Sequence, residues 1–397
     1  MTSGSGGEAP RFASFFQAGF ECASHRRRGD RRRIDVIKAT GHDRYCRQDY
    51  RAVLDHGIST VRDGLRWHRI ERLPGWYDWS SALPMIRAAR ELGVQVIWDV
   101  CHYGYPDGLD IWDSAFVDRF AAFAGAAAAL IRDEQEGVPY YCPVNEISYW
   151  AWAGGHTARI GPFATGRGNA LKRQLVRAAL AAIHAIRDVD PRARFVQSEP
   201  AIHVRAAPDR PRDADQAERY RQSQFEAWDL ICGTMEPELG GDPSCLDILG
   251  INYYPDNQWF LTGGMIGLGH HCYRPFREIL REINARYTRP MVISETGAES
   301  TARPAWLNYV CGEVVAARSA GVPVDGICLY PILDYPGWED DRACEVGLLG
   351  AADETGRRPL CGPLAAALAQ QQSALASADR GREAPAVSRR PTLGLAG

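Results

Sequence analysis

Two glutamates stand apart because of what precedes them. Glu146 follows the short apolar run PYYCPVN (139–145), and Glu295 closes MVISE (291–295). Other polar residues end or directly follow similar runs: Glu21, Arg62, His102, Asn145, Glu199, Asn252, Tyr253, Tyr254 and Tyr330. Any one of them is explained by a loop facing water, but their joint occurrence is not. Two carboxylates facing each other across a gap can divide a bond cleavage between them. One stays protonated and donates to the leaving oxygen, while the other stays ionised and attacks carbon.

Such a pair needs elements that bring positions 149 residues apart (295 minus 146) to one place. Eight short runs rich in Val, Ile and aromatics recur at 15–21, 59–65, 94–100, 139–145, 193–199, 246–252, 291–295 and 324–330. They are too short for helices and suit strands buried on both faces. Amphipathic segments lie between them: 81–93, with Gly93 placed as a stop, and the Ala-rich 114–137 and 169–188. Further helical candidates run 215–232, 275–286, 303–319 and 363–378. Eight β-then-α units predict an α/β protein, a single (β/α)8 TIM barrel. A doubly wound sheet competes, but no Gly-x-Gly-x-x-Gly turn follows any run, so a dinucleotide site lacks support. Barrel enzymes carry their chemistry at the C-terminal strand ends. Strands four and seven lie across that mouth, so Glu146 and Glu295 would flank a gap, as cleavage of a glycosidic bond requires. A separation of about 5–5.5 Å would make the reaction retaining.

Composition narrows the field. The chain has 397 residues, 45% hydrophobic, and Lys+Arg 46 against Asp+Glu 49 gives −3, which argues against a dedicated nucleic-acid binder. The run HRRRGDRRR (25–33) reads as a solvated, salt-bridged surface loop, with an anionic aglycone as a minor alternative. No apolar run approaches the roughly 18 residues of a membrane helix, and the start lacks a secretory stretch. A cytoplasmic protein without a membrane partner is therefore expected. The 11 cysteines are scattered without a CxxC pair, as befits small hydrophobes in a reducing compartment rather than a metal site. Residues 1–11 and 380–397 are expected to be disordered, leaving 12–379 as the barrel. Of the 11 Trp and 16 Tyr, Trp67 and Trp98 are expected inside strands two and three. Tyr103, Tyr105, Trp150, Trp152, Tyr253, Tyr254, Trp259, Tyr330 and Trp338 gather where strands end. Sugars pack their C–H faces on such rings.

The chain resembles glycoside hydrolase family 1 and, more broadly, the clan A retaining β-glycosidases, over about 15 to 360. VNE (144–146) is similar to the family's acid/base motif Asn-Glu-Pro, and ISETG (293–297) to its nucleophile motif. VRDGLRWHRIE (61–71), CHYGYP (101–106) and GINYY (250–254) match further family segments in order. The resemblance implies a β-glucosidase-like enzyme that hydrolyses a small β-glucoside or β-galactoside-like substrate. It makes Glu295 the nucleophile and Glu146 the acid/base. Arg62 and Tyr254 would keep Glu295 ionised, and the charge of Glu295 would raise Glu146. Asn145 would bind the sugar 2-hydroxyl and His102 another ring hydroxyl. Glu21, Trp150, Tyr330 and Trp338 complete the expected substrate-binding set. No metal and no organic cofactor is implied, and the partner is a small carbohydrate or glycoside. The chain departs from the family at Ile147 for Pro, at Tyr330 for the first Trp after strand eight, and at Gly337, where the family's sugar-holding Glu falls. These departures keep two alternatives open: a transglycosylase, and a barrel that binds or rearranges a glycoside or natural product without hydrolysis. Glu199 and Asp334 read as structural, and His156 and His203 receive no role.

Overall fold

The structure is a computed structural model and describes residues 10–383. The expected disordered ends lie outside these residues, apart from Pro10, Arg11 and the close of the last helix, which continues to Glu383. The eight apolar runs form eight parallel strands: β1 (Phe16–Gly19), β2 (Thr60–Gly64), β3 (Gln95–Asp99), β4 (Tyr140–Cys142), β5 (Arg194–Pro200), β6 (Ile248–Asn252), β7 (Met291–Thr296) and β8 (Val324–Leu329). Each pairs with its sequence neighbours, and β1 pairs with both β2 and β8, so the sheet closes. The expected α/β barrel is the observed fold.

The outer helices are α1 (His42–Asp55), α2 (Leu83–Leu92), α3 (Ser114–Glu134), α4 (Gly168–Val189), α5 (Glu226–Ile231), α6 (Phe276–Tyr287), α7 (Arg303–Ser319) and α8 (Gly362–Glu383). Gly93 ends α2 in the left-handed conformation (φ 68°), where a side chain would be strained. Asp113 caps α3 by accepting the Ala115 N–H.

Three expectations need correction. The segment 215–232 is a helix, Ala214–Gln222, and then α5, with a tight turn at Ser223–Phe225. Gln224 turns inward there, donating to Arg221 O and accepting from Ile202 N, which a continuous helix would not allow. Trp67 does not lie in a strand. It opens a short helix, Trp67–Ile70, and is buried against Phe116, Phe120 and Phe123. The helix α3 is long and apolar enough to cross a bilayer, contrary to the expectation that no such run exists. Its Phe116, Phe120, Phe123, Ala127 and Ile131 instead pack on the barrel. One helix was not anticipated at all. The inner face of α1 carries Cys46, Tyr50 and Val53 at helical spacing, interrupted by the buried polar residues His42 and Asp49.

The core has two levels. At the N-terminal end of the barrel, Phe12, Ile97, Tyr140, Val196, Ile248 and Val292 form an apolar plug. Above it the interior turns polar, with Arg62, Asp99, Ser198 and Ser294 all buried. That polar layer carries the strand-end residues. All eleven cysteines are free, and all but Cys272 and Cys361 are buried.

Candidate active site

Arg62, near the end of β2, organises the centre. Its guanidinium is 1% exposed and uses its whole fork of donors. Nε donates to Asp99 Oδ1 at 3.0 Å, Nη1 to Glu295 Oε1 at 2.7 Å and to Ser294 O at 3.2 Å, and Nη2 to Asn145 Oδ1 at 2.6 Å. Nη2 also lies 2.9 Å from Asp99 Oδ2. A fixed planar fork suits this work better than a flexible ammonium would. One buried cation thereby fixes residues from β3, the β4 loop and β7 at once.

The two glutamates receive opposite treatment. Glu295 is in contact with the Arg62 guanidinium, and Tyr254 Oη donates to its Oε2 at 2.9 Å. Among the described residues no cation pairs with Glu146. Tyr103 Oη donates to Oε2 at 2.6 Å, and Asn252 Nδ2 to Oε1 at 2.9 Å. Burial, seconded by the charge of Glu295, pushes Glu146 up to about 8. The expectation attributed that rise to Glu295 alone; desolvation is the larger cause.

Glu146 also sits on a strained backbone, φ 43° and ψ 63°, which a non-glycine residue adopts at a cost. Its N–H donates to Ser198 O at 3.0 Å. The next two amides are taken by Glu199 from β5: Ile147 N–H to Oε1 at 2.8 Å and Ser148 N–H to Oε2 at 3.0 Å. This explains the departure at position 147. A proline there has no N–H to give, whereas Ile147 donates to a fully buried carboxylate. Burial raises Glu199 to about 7, against the opposing effect of those hydrogen bonds.

On the β3 side, His102 Nδ1 lies 3.0 Å from Asp99 Oδ2 and 3.1 Å from Cys22 Sγ. The Asn145 amide, oriented by Arg62, brings its Nδ2 to 3.0 Å from His102 Nε2 and 3.1 Å from Tyr103 Oη. That assigns Nε2 as acceptor and leaves Nδ1–H to Asp99. Tyr330 directly follows β8, with its ring 5.3 Å from the Arg62 guanidinium carbon and parallel to His102. A Cβ on Gly19 would lie 1.9 Å from this ring, so the glycine makes room for it.

These groups open into one cavity of about 1230 Å³. Of the expected site residues, Glu21, His102, Glu146, Tyr254, Glu295, Tyr330 and Trp338 line it. Arg62 and Asn145 lie directly beneath, bonded to residues that do. Trp150 requires correction. It is fully buried, donates its indole N–H to Gly161 O, and packs on Tyr103 and Tyr105 without reaching the cavity. Trp152, two positions on, faces the cavity instead. Tyr253 is likewise core, stacked on Phe276 at 3.9 Å. His156 lines the outer cavity. Asp334 accepts the Gly347 N–H in a loop.

Asp99 escaped the sequence reading, although an acid inside the apolar run VQVIWDV is a visible signal. Tyr149, Tyr335, Tyr220 and Ile202 also line the cavity, and no motif marks them. Among the described residues, Cys22, Asp99 and His102 gather closely enough to suggest metal ligands, as do His270, His271 and Cys272. In the first group Asp99 is already paired with Arg62, and burial holds the Cys22 thiol protonated. That donor set does not suit a cation. The arginines of the 25–33 loop are largely paired: Arg26 and Arg33 with Asp107, and Arg27 and Arg32 with Asp30 and Asp341.

No protein-family model matches the chain, and no curated protein matches it. Solved structures do. A hyperthermophilic β-glucosidase mutant superposes with a TM-score of 0.71 at 16% identity, over 91% of this chain and 100% of that one. The fold is that of the family 1 β-glucosidases. The β-glycosidase of Thermosphaera aggregans gives 0.71 at 16% identity over 84% and 85%. The Thermotoga maritima β-glucosidase in complex with deoxynojirimycin gives 0.71 at 14% over 91% and 97%. At such identity the backbone is shared while most side chains have changed.

Proposed function

We propose that this protein is a retaining β-glycosidase acting on a small β-glucoside or β-galactoside-like substrate. The observation that carries the reading is the opposite treatment of two buried carboxylates at one barrel mouth. Glu295 is held by a guanidinium and a phenol hydroxyl, whereas Glu146 is raised to about 8. Near neutral pH that gives one carboxylate held by a cation and one protonated carboxyl, the division of labour that glycoside cleavage demands.

In the first step a Glu295 oxygen forms a bond to the anomeric carbon as the glycosidic C–O bond breaks. The Glu146 proton passes to the departing oxygen. The product is a glycosyl ester on Glu295, whose charge has gone. The Coulombic pressure on Glu146 then falls, and the group just deprotonated is free to act as base. It takes a proton from water, the water oxygen bonds the anomeric carbon, and the ester C–O bond releases Glu295 as carboxylate. If a sugar or alcohol hydroxyl replaces water, the same steps give transglycosylation. Arg62 positions Glu295 and Asn145, and the Asn145 amide in turn holds His102 and Tyr103 at the edge of the cavity.

The test is direct. Glu295→Gln and Glu146→Gln should each lower turnover of an activated aryl β-glycoside by at least about 10³-fold. A 2-fluoro sugar that turns over slowly should label Glu295. Labelling of another residue overturns the assignment. Wild-type protein inert toward a broad aryl-glycoside panel would favour a barrel that binds without hydrolysis.

A further inference from the structure

Glu21 is a third carboxylate in the cavity, and the mechanism above does not use it. It stands just beyond the end of β1 and is 6% exposed. Its Oε1 accepts the Ala23 N–H at 2.8 Å and lies 3.7 Å from His102 Nε2. Among the described residues none donates to its Oε2, which is left to the cavity that the residue lines. No lysine or arginine among the described residues donates to its carboxylate, and His102 and Arg62 act on its charge only through space. Arg62 is committed to Asp99, Glu295 and Asn145, and His102 Nε2 is occupied by the Asn145 amide. With Glu146 protonated, a single guanidinium therefore faces three carboxylates, those of Asp99, Glu295 and Glu21. Burial pushes Glu21 upward, with His102 and Arg62 opposing, so a cation brought to its free oxygen would hold it ionised.

The surroundings of Glu21 are aromatic. Tyr149, Tyr330, Tyr335 and Trp338 line the same cavity, and the charge of Glu21 acts on all three tyrosine hydroxyls. Trp338 stands edge-on to Tyr149 with ring centroids 6.3 Å apart, and its buried indole N–H has no partner. A buried carboxylate with a free oxygen, in a cavity lined by aromatic side chains, suits an ammonium. A ring hydroxyl would satisfy the oxygen but leave the charge uncompensated, whereas an ammonium satisfies both. The unpaired Trp338 N–H still calls for an acceptor, which a neighbouring ring oxygen supplies.

We infer that the sugar bound at the inner end of the cavity carries an amino group, and that Glu21 selects it by forming an ion pair with the ammonium. This deepens the glycosidase reading and rests on it. The substrate class is then an amino-sugar β-glycoside rather than a neutral hexoside. Glu21 is a specificity residue whose partner is the ring, not the scissile bond.

The experiment compares nitrophenyl β-glycosides with their analogues bearing an amino group in place of the 3-, 4- or 6-hydroxyl. They are assayed at pH 6, where the amine is protonated, with wild type and with Glu21→Gln. At least one amino glycoside should exceed its hydroxy parent by about ten-fold in kcat/KM with wild type. In Glu21→Gln the preference should vanish or reverse. The ratio of two substrates on one preparation is independent of how much of the variant has folded. If wild type turns over the parents but disfavours every amino analogue, or if Glu21→Gln keeps the preference, the inference is overturned and the glycosidase reading stands. If nothing is turned over, the glycosidase reading fails. Calorimetric binding of the methyl amino glycosides then decides the ammonium site separately: binding by wild type that Glu21→Gln loses supports it, and no binding refutes it.

Discussion

At the residue scale, one proton accounts for much of the expected behaviour. Glu146 must be protonated to act as acid, and it is raised to about 8. The alkaline limb of kcat/KM should therefore fall about ten-fold per pH unit above that value. A limb near 5 would mean that Glu146 is not the acid. The same proton affects stability. Glu146 retains it in the fold between its ordinary value near 4.5 and about 8, whereas the unfolded chain has already lost it. Folding takes up a proton across that window, so this contribution is complete below 4.5 and is lost as pH rises through 8. Glu199, raised to about 7, acts with the same sign. Thermal melts of wild type from pH 5 to pH 8 should fall more steeply than those of Glu146→Gln. Parallel slopes would show that Glu146 is not perturbed.

At the scale of elements, the site depends on how the chain leaves β4. The turn places Glu146 in a left-handed conformation and starts the helix Ile147–Trp150 at once. Orphan amides at a helix start need acceptors, and Glu199 from β5 supplies both oxygens to them. Glu199 thus reads as a positioning residue that clamps the backbone beside the catalytic pair. Glu199→Ala should lower kcat by about 10–100-fold, with KM changed less, because a misplaced acid mostly harms the chemical step. Glu199→Gln retains one carbonyl oxygen and should recover part of the loss. Equal loss of kcat in both, matched by equal loss of folded protein, would reduce the role to stability alone.

At the scale of the whole molecule, the last segment is tied to the first helix. Arg358, just ahead of α8, grips Asp49 of α1 through Nε at 2.6 Å and Nη2 at 3.0 Å, with both side chains almost fully buried. Asp49 also meets His42 Nδ1 at 2.8 Å, and His42 Nε2 reaches Asp63 of β2 at 2.9 Å. Tyr50 Oη donates to the same Asp63 oxygen. This chain of charges runs from the last connection into the barrel wall. Arg358→Met would leave Asp49 buried without its guanidinium, so unfolding free energy should drop by about 3–5 kcal/mol. Urea titration reads the drop, and a loss under 1 kcal/mol would show that the network is loosely held. The active-site residues do not touch Arg358, so kcat of the folded fraction should be unchanged.

The sequence by itself determined the barrel. Its eight runs coincide with the eight strands because a strand buried on both faces must be short, apolar and continuous, and that pattern is local. It also placed Glu146, Glu295, Arg62, Tyr254 and His102 at the mouth, since a polar residue at the end of such a run lands on one rim. Three things were decided only by tertiary structure. Trp150 and Trp152 differ by two positions, and only the short, irregular helix after Glu146 settles which enters the cavity. The buried face of α1 mixes His42 and Asp49 with Cys46, Tyr50 and Val53, and only the partners of its polar members explain why they are inside. The state of each glutamate depends on long-range neighbours. Arg62 is 233 positions from Glu295, and desolvation of Glu146 comes from the closed barrel around it. Periodicity is written in adjacent residues; dielectric and charge are properties of the assembled mouth.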